Sequence, residues 1–204
     1  MQFTDVHTTD WFYAPVAWMY CNGIISGYSD NTFRPNSPTT RGQMVKISVG
    51  AFSLPSHTEG GPHFADVPAT DPFYTFVETA NYYSIVSGYP CGTSGDPCDD
   101  QHRPYFHPSS QVTRGQVAKI VVLTAVLTNP TVWRLIAPPV PTFADVAHDS
   151  TFYIYVETAV AHNVLQGYAC GGAGEPCPGR YFRLGSNATR AQLSKIVYGA
   201  VTQP

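Results

Sequence analysis

Charge is scarce in this chain. Of 204 residues, 11 are Lys or Arg and 14 are Asp or Glu, a 12% share with a net charge of −3. That is about half the usual ~25%, and its near balance leaves neither a basic stripe for nucleic acid nor an acidic tail. Long apolar runs are also missing: nothing approaches the ~20 residues that would span a bilayer. The opening MQFTDVHTT lacks the basic and apolar regions of a secretory signal, so Met1 reads as a trimmed start. Catalytic signatures are lacking as well, with no nucleophile–base motif, no phosphate-cradling glycine loop and no metal-ligand cluster. The seven histidines follow no periodicity and receive no role. Neither an enzyme nor a cofactor is expected.

What is present is apolar and aromatic. Hydrophobic residues make up 43%, which argues against disorder, and 13 Tyr, 11 Phe and 3 Trp accompany them. A surface poor in charge and rich in tyrosine suits carbohydrate or protein contacts. Four of the five cysteines fall in matched segments, CGTSGDPC from Cys91 to Cys98 and CGGAGEPC from Cys170 to Cys177. Six intervening residues are not a usual zinc spacing, so two local disulfides are preferred over the rival metal site. Disulfides imply an extracytoplasmic, oxidising setting. Cys21, in a helical pattern without a partner, is expected to be a buried thiol.

The chain repeats itself three times. Each copy opens with F-x-D-V, around Asp5, Asp66 and Asp145, and continues to a glycine–tyrosine pair: Gly27-Tyr28, Gly88-Tyr89 and Gly167-Tyr168. The step from aspartate to tyrosine is 23 residues in every copy, the mark of a rigid element. The step from that tyrosine to a recurring arginine varies, at 13, 25 and 22 residues, and the cysteine loops fill the extra length. Insertions collect where backbone is exposed. The copies are placed at 1–54, 62–128 and 141–204, with proline-rich linkers at 55–61 and 129–140.

Each rigid stretch reads as an amphipathic helix. In copy two, Asp71 is the expected N-cap with Pro72 at the first helical position, and Phe73, Phe76, Val77 and Ala80 share a face. A helix over Trp11 to Met19 is the counterpart in copy one, with Pro15 tolerated near its start. The glycines are expected to end this helix or to allow close backbone approach. Glu78 and Glu157, both in V-E-T-A, supply one carboxylate per helix, whereas glycoside hydrolysis needs a pair. A second helix opens at TTRGQ, VTRGQ and ATRAQ. Thr40, Thr113 and Thr189 with Gln43, Gln116 and Gln192 three residues on predict a capping box each. The fold class is mainly α, with three repeats packed as a pseudo-threefold helical bundle carrying disulfide-stapled loops.

Arg41, Arg114 and Arg190 each stand in the first turn of the second helix, where the dipole disfavours a cation. Lys46, Lys119 and Lys195 follow five residues later. Two readings compete: each arginine binds an anionic ligand beside open helix N–H groups, or it fastens the repeat by pairing with the aspartate of F-x-D-V. On the first reading, Arg41→Ala weakens binding far more than stability.

These landmarks, GIISGYSDNTFRPNSPTTRGQ from Gly23 to Gln43 above all, resemble the surface-layer homology (SLH) domain family, across nearly the whole chain. The resemblance implies a cell-surface module that binds secondary cell-wall polysaccharide, often pyruvylated, in grooves between neighbouring repeats, with the arginines meeting the anionic substituent. Asp5, Asp66, Asp145, Gly27, Tyr28, Gly88, Tyr89, Gly167 and Tyr168 are candidate ligand contacts beside them. Two departures stand out. The family's usual motif glutamate is glutamine here, which is neutral for capping and makes the groove less negative. The loop SDNTFRPN survives only in copy one, so a ligand entering over it would find the grooves of copies two and three reshaped. The alternative function is a subunit that self-assembles into a surface layer or filament.

Overall fold

The computed structural model describes residues 1–203. Among them are six helices: α1 (Tyr13–Cys21), α2 (Arg41–Ala51), α3 (Tyr74–Tyr82), α4 (Arg114–Thr128), α5 (Tyr153–Ala161) and α6 (Arg190–Thr202). The one two-stranded ladder among the described residues is short, β1 (Tyr168–Ala169) antiparallel to β2 (Arg180–Tyr181). The chain is mainly α, as its periodicity predicts, and both disulfides, Cys91–Cys98 and Cys170–Cys177, are formed.

The three capping boxes are present. Gln43, Gln116 and Gln192 take N–H bonds from the threonines and donate their own backbone N–H to the threonine hydroxyls. The outer helices begin differently. Phe12, Phe73 and Phe152 occupy their N-caps with no side-chain cap. Asp71 is therefore not the N-cap of α3: it closes the preceding turn, its carboxylate accepting from Phe73 N at 2.7 Å and its carbonyl from Tyr74 N at 3.0 Å. Nor do Gly27, Gly88 and Gly167 end the helices. The left-handed position after each outer helix belongs to Gly23, Ser84 and Asn163, with φ of 69°, 57° and 56°. Cys21 is exposed rather than buried, because it lies on the last turn of α1, away from the buried Val16 and Met19.

The inner helices α2, α4 and α6 touch one another pairwise. Each outer helix finds its main helical partner in another copy: α3 on α2, α5 on α4 and α1 on α6. No copy closes its core alone, which is what about 50–60 residues with two half-apolar helices require. At the heads of the inner helices the three copies form a ring of backbone bonds. Thr39 N donates to Ala188 O at 2.9 Å, Ala188 N to Val112 O at 3.0 Å, and Val112 N to Thr39 O at 2.9 Å. All three residues are fully buried.

The linkers are held down by the outer helices. Buried Glu78 accepts from the backbone and ring nitrogens of His63, and Glu157 accepts from Thr142 N at 2.8 Å and Thr142 Oγ1 at 2.6 Å. Thr79 and Thr158 bind the backbone N–H of His57 and Ile136 in the same way. The V-E-T-A carboxylates are thus tethers for the incoming chain.

Candidate functional site

The arginines come first, because the inner helices set them at the seams. Arg41 reaches from α2 into copy two, Arg114 from α4 into copy three, and Arg190 from α6 back into copy one. Their Nε–H groups donate to Phe106 O, Phe182 O and Phe33 O at 2.9, 2.8 and 2.7 Å. Each guanidinium also lies 4.5–4.6 Å from the ring centre of that phenylalanine and 4.9–5.1 Å from Tyr89, Tyr168 or Tyr28, within cation–π range. All three arginines are buried. Burial pushes their pKa values down from the ordinary arginine range, with the tyrosine and aspartate of the neighbouring copy opposing it.

The expected ion pair with the F-x-D-V aspartate is not made; none of these arginines enters an ion pair among the described residues. The two groups meet through one peptide segment instead. Asp66 accepts from Phe106 N and His107 N at 2.7 Å each, while the carbonyl of the same Phe106 accepts from Arg41. Asp5 does this for Phe33 and Arg34, and Asp145 for Phe182 and Arg183. Both carboxylate oxygens are spent on backbone.

The helix N-termini are also occupied. Arg41 N and Gly42 N donate to Ser110 O and Pro108 O, Arg114 N and Gly115 N to Ser186 O and Leu184 O, and Arg190 N and Ala191 N to Ser37 O and Pro35 O. With the next N–H taken by the threonine cap, the amides expected to attract an anion are closed off. Carbonyls from the neighbouring copy crowd the positive end of each dipole, and this is what makes an arginine tolerable there.

Three grooves lie beside these seams, and each draws its walls from all three copies. The first, about 180 Å³, joins Gly27, Tyr28, Gln43 and Lys46 with Phe73 and Arg190. The second, about 170 Å³, joins Gly88, Tyr89, Gln116 and Lys119 with Phe152 and Arg41. The third, about 210 Å³, joins Gln166, Gln192 and Lys195 with Trp11 and Arg114. Each contains one arginine and one lysine, and none is lined by a carboxylate. In a chain of net charge −3 these are local concentrations of uncompensated positive charge.

The structure thus brings Arg41, Arg190, Gly27, Tyr28, Gly88 and Tyr89 to groove walls, and Arg114 to the third. Gly167 and Tyr168 do not line the third groove, and none of the three aspartates lines any of these grooves. The glycines are needed for packing: a Cβ at Gly27, Gly88 or Gly167 would run into the ring of Phe3, Phe64 or Phe143, the phenylalanine that opens the same copy. That contact accounts for the constant spacing. Neither disulfide loop contributes to a groove wall, so the insertions leave the first two grooves close in size. The motif glutamines line the grooves, and two of them donate Nε2–H to a tyrosine hydroxyl, Gln116 to Tyr89 at 2.9 Å and Gln192 to Tyr168 at 3.2 Å. The residues that sequence reasoning missed are Phe73, Phe152 and Trp11, which reach a groove only because the copies interleave, and Gln166, which stands beside Gly167 in the groove's own copy.

Comparison with known proteins gives a consistent result. The family model described as S-layer homology domain matches residues 2–45 and 63–118. The chain is 28% identical over 121 residues to a protein named Surface-layer 125 kDa protein from Lysinibacillus sphaericus, covering 59% of this chain and 9% of that protein. It is 26% identical over 201 residues to a protein named Endoglucanase from Bacillus sp. (strain KSM-635), covering 96% of this chain and 18% of that protein. The chain thus spans less than a fifth of the length of either relative.

Proposed function

The chain belongs to the S-layer homology domain family, and from that premise we propose that its grooves bind the acidic substituents, pyruvyl groups among them, of an anionic secondary cell-wall polysaccharide. Domains of this family are cell-surface modules that anchor by binding cell-wall polysaccharide, and they are non-catalytic. In this reading the copies at 1–54, 62–128 and 141–204 are units arranged about a pseudo-threefold axis running along α2, α4 and α6. Their seams hold the ligand, and the module holds a larger surface protein to the envelope.

One observation carries the proposal. Arg41 and Arg190 each make a single side-chain hydrogen bond among the described residues, through Nε, so their terminal nitrogens face the groove with no carboxylate to neutralise them. A planar fork with two parallel donors fits a carboxylate, and a lysine from a second inner helix, Lys46 on α2 beside Arg190 or Lys119 on α4 beside Arg41, adds a second charge. Tyr28 and Tyr89 supply an aromatic wall beside each fork. Asp5, Asp66 and Asp145 act as positioning residues, holding the loop whose carbonyl aims the arginine.

The test is sedimentation of the pure protein alone, then with purified cell-wall sacculi, with and without prior removal of acidic substituents. The expected result is protein that stays soluble alone and pellets with intact sacculi in a salt-sensitive way. Equal pelleting with stripped and intact sacculi at every salt concentration would overturn the anionic reading. Protein that pellets alone as regular filaments or sheets would make it an assembling subunit instead.

A further inference from the structure

The third groove differs from the other two in the groups it offers. Arg114 makes a second bond, from NH2 to Gln166 O at 3.0 Å, besides its bond to Phe182 O. Neither Arg41 nor Arg190 has such a partner, and the residues aligned with Gln166 in their grooves are Ser26 and Ser87. Two of the five N–H donors of the guanidinium that should grip an acid are here spent on backbone, against one in each of the other two grooves.

The aromatic wall differs too. Lys46 and Lys119 lie 5.8 Å from the rings of Phe76 and Tyr155, three residues after the N-caps of α3 and α5. In α1 that place is taken by buried Pro15. Lys195 is met instead by Trp11, at 5.5 Å. Trp11 stands where the other copies have Pro72 and Thr151, and it remains 57% exposed, whereas Phe73 and Phe152 are half-buried.

The polar groups differ last. Exposed Asn163 and Gln166 border this groove, and neither side-chain amide has a protein partner among the described residues. The first two grooves have Gly23 and Ser26, or Ser84 and Ser87, at these positions. A flat indole face flanked by two amides, each offering both a donor and an acceptor, suits the C–H face and hydroxyls of a sugar ring, not a carboxylate.

We propose that the third groove is a subsite for an uncharged sugar residue of the polysaccharide, stacked on Trp11 and hydrogen-bonded by Asn163 and Gln166, while the first two grooves take the acidic residues. The inference rests on the polysaccharide reading above and adds a division of labour to it. One bound chain is then read at two kinds of position, by charge and by ring shape.

The probe is soluble wall polysaccharide, intact or stripped of acidic substituents by mild acid, titrated calorimetrically and by tryptophan fluorescence. Wild-type protein should bind the stripped polymer weakly but measurably, with a change in indole emission. Trp11→Ala should lower that affinity at least tenfold, Trp11→Tyr should restore part of it, and Gln166→Ala should weaken it several-fold, all with unchanged thermal unfolding. Stripped-polymer binding that ignores Trp11→Ala would overturn the inference. So would its absence when the intact polymer binds, which leaves the anionic reading standing. Failure of both polymers would overturn that reading and this subsite together.

Discussion

Thr39 gives a prediction that can be worked from the ring at the head of the inner helices. The ring places Thr39, Val112 and Ala188 at equivalent, fully buried positions. Only Thr39 brings a polar side chain there, and its Oγ1 has no hydrogen-bond partner among the described residues. A buried hydroxyl left unpaired costs about 1–3 kcal/mol. Valine has nearly the same shape, keeps the backbone N–H and C=O that close the ring, and is what copy two already uses. Thr39→Val should therefore stabilise the protein by about 1 kcal/mol or slightly more. For a chain of this length that raises Tm by about 2–4 °C. The reciprocal change, Val112→Thr, should lower it by a similar amount by adding a second orphan hydroxyl. Thermal unfolding followed by circular dichroism, with disulfides intact and at several scan rates, is the assay. A Tm for Thr39→Val equal to or below wild type would refute the reasoning, since it would mean that the hydroxyl has a partner in solution.

Arg41→Ala should lower stability by about 2–4 kcal/mol as well as weaken binding, because it unpairs the buried Phe106 carbonyl at a seam between copies; unfolding and sacculus pull-down measured together would expose a loss of binding alone. This revises the expectation that binding suffers far more. Arg41→Lys should keep the charge but lose the fork and the Nε bond, so binding should fall clearly while unfolding shifts less than for alanine. Gly27→Ala should destabilise by about 1–3 kcal/mol by overpacking against Phe3, and pairing it with Phe3→Leu should recover part of the loss in a denaturant titration. Reduction of the disulfides should cost about 2.5 kcal/mol per bridge on the chain-entropy account while far-ultraviolet dichroism keeps its helical form, since neither loop forms a helix or groove wall.

What could be read from the sequence was what is decided within a few residues. A capping box spans Thr40 to Gln43, so its four residues announce it. The disulfide loops are equally local, each closing over six intervening residues. The helix starts were less legible where side chains and backbone compete: Asp71 resembles an N-cap, yet it closes the turn ahead of the N-cap Phe73. Cys21 shared a helical pattern with Val16 and Met19, but which face it occupies depends on α6, more than 160 positions away. The roles of the arginines lay deepest. Their partners Phe106, Phe182 and Phe33 are 65, 68 and 157 residues distant, and no spacing within one copy records that the copies interleave. For the same reason the aspartates looked like ligand contacts, although their carboxylates serve backbone amides.

The bond from Arg190 to Phe33 and the packing of α1 on α6 join the last copy to the first. A tandem chain is thereby closed into a loop with a latch between its two ends. Tension drawn through both ends falls first on that latch, not on the covalently linked seams between copies one and two or two and three. The groove walled by Lys46, Phe73 and Arg190 straddles the latch, as does the one walled by Trp11 and Lys195. Under the proposed function, a polymer strand lying in either groove would bridge the parts that traction separates, and its occupancy should raise the force at which the loop springs open.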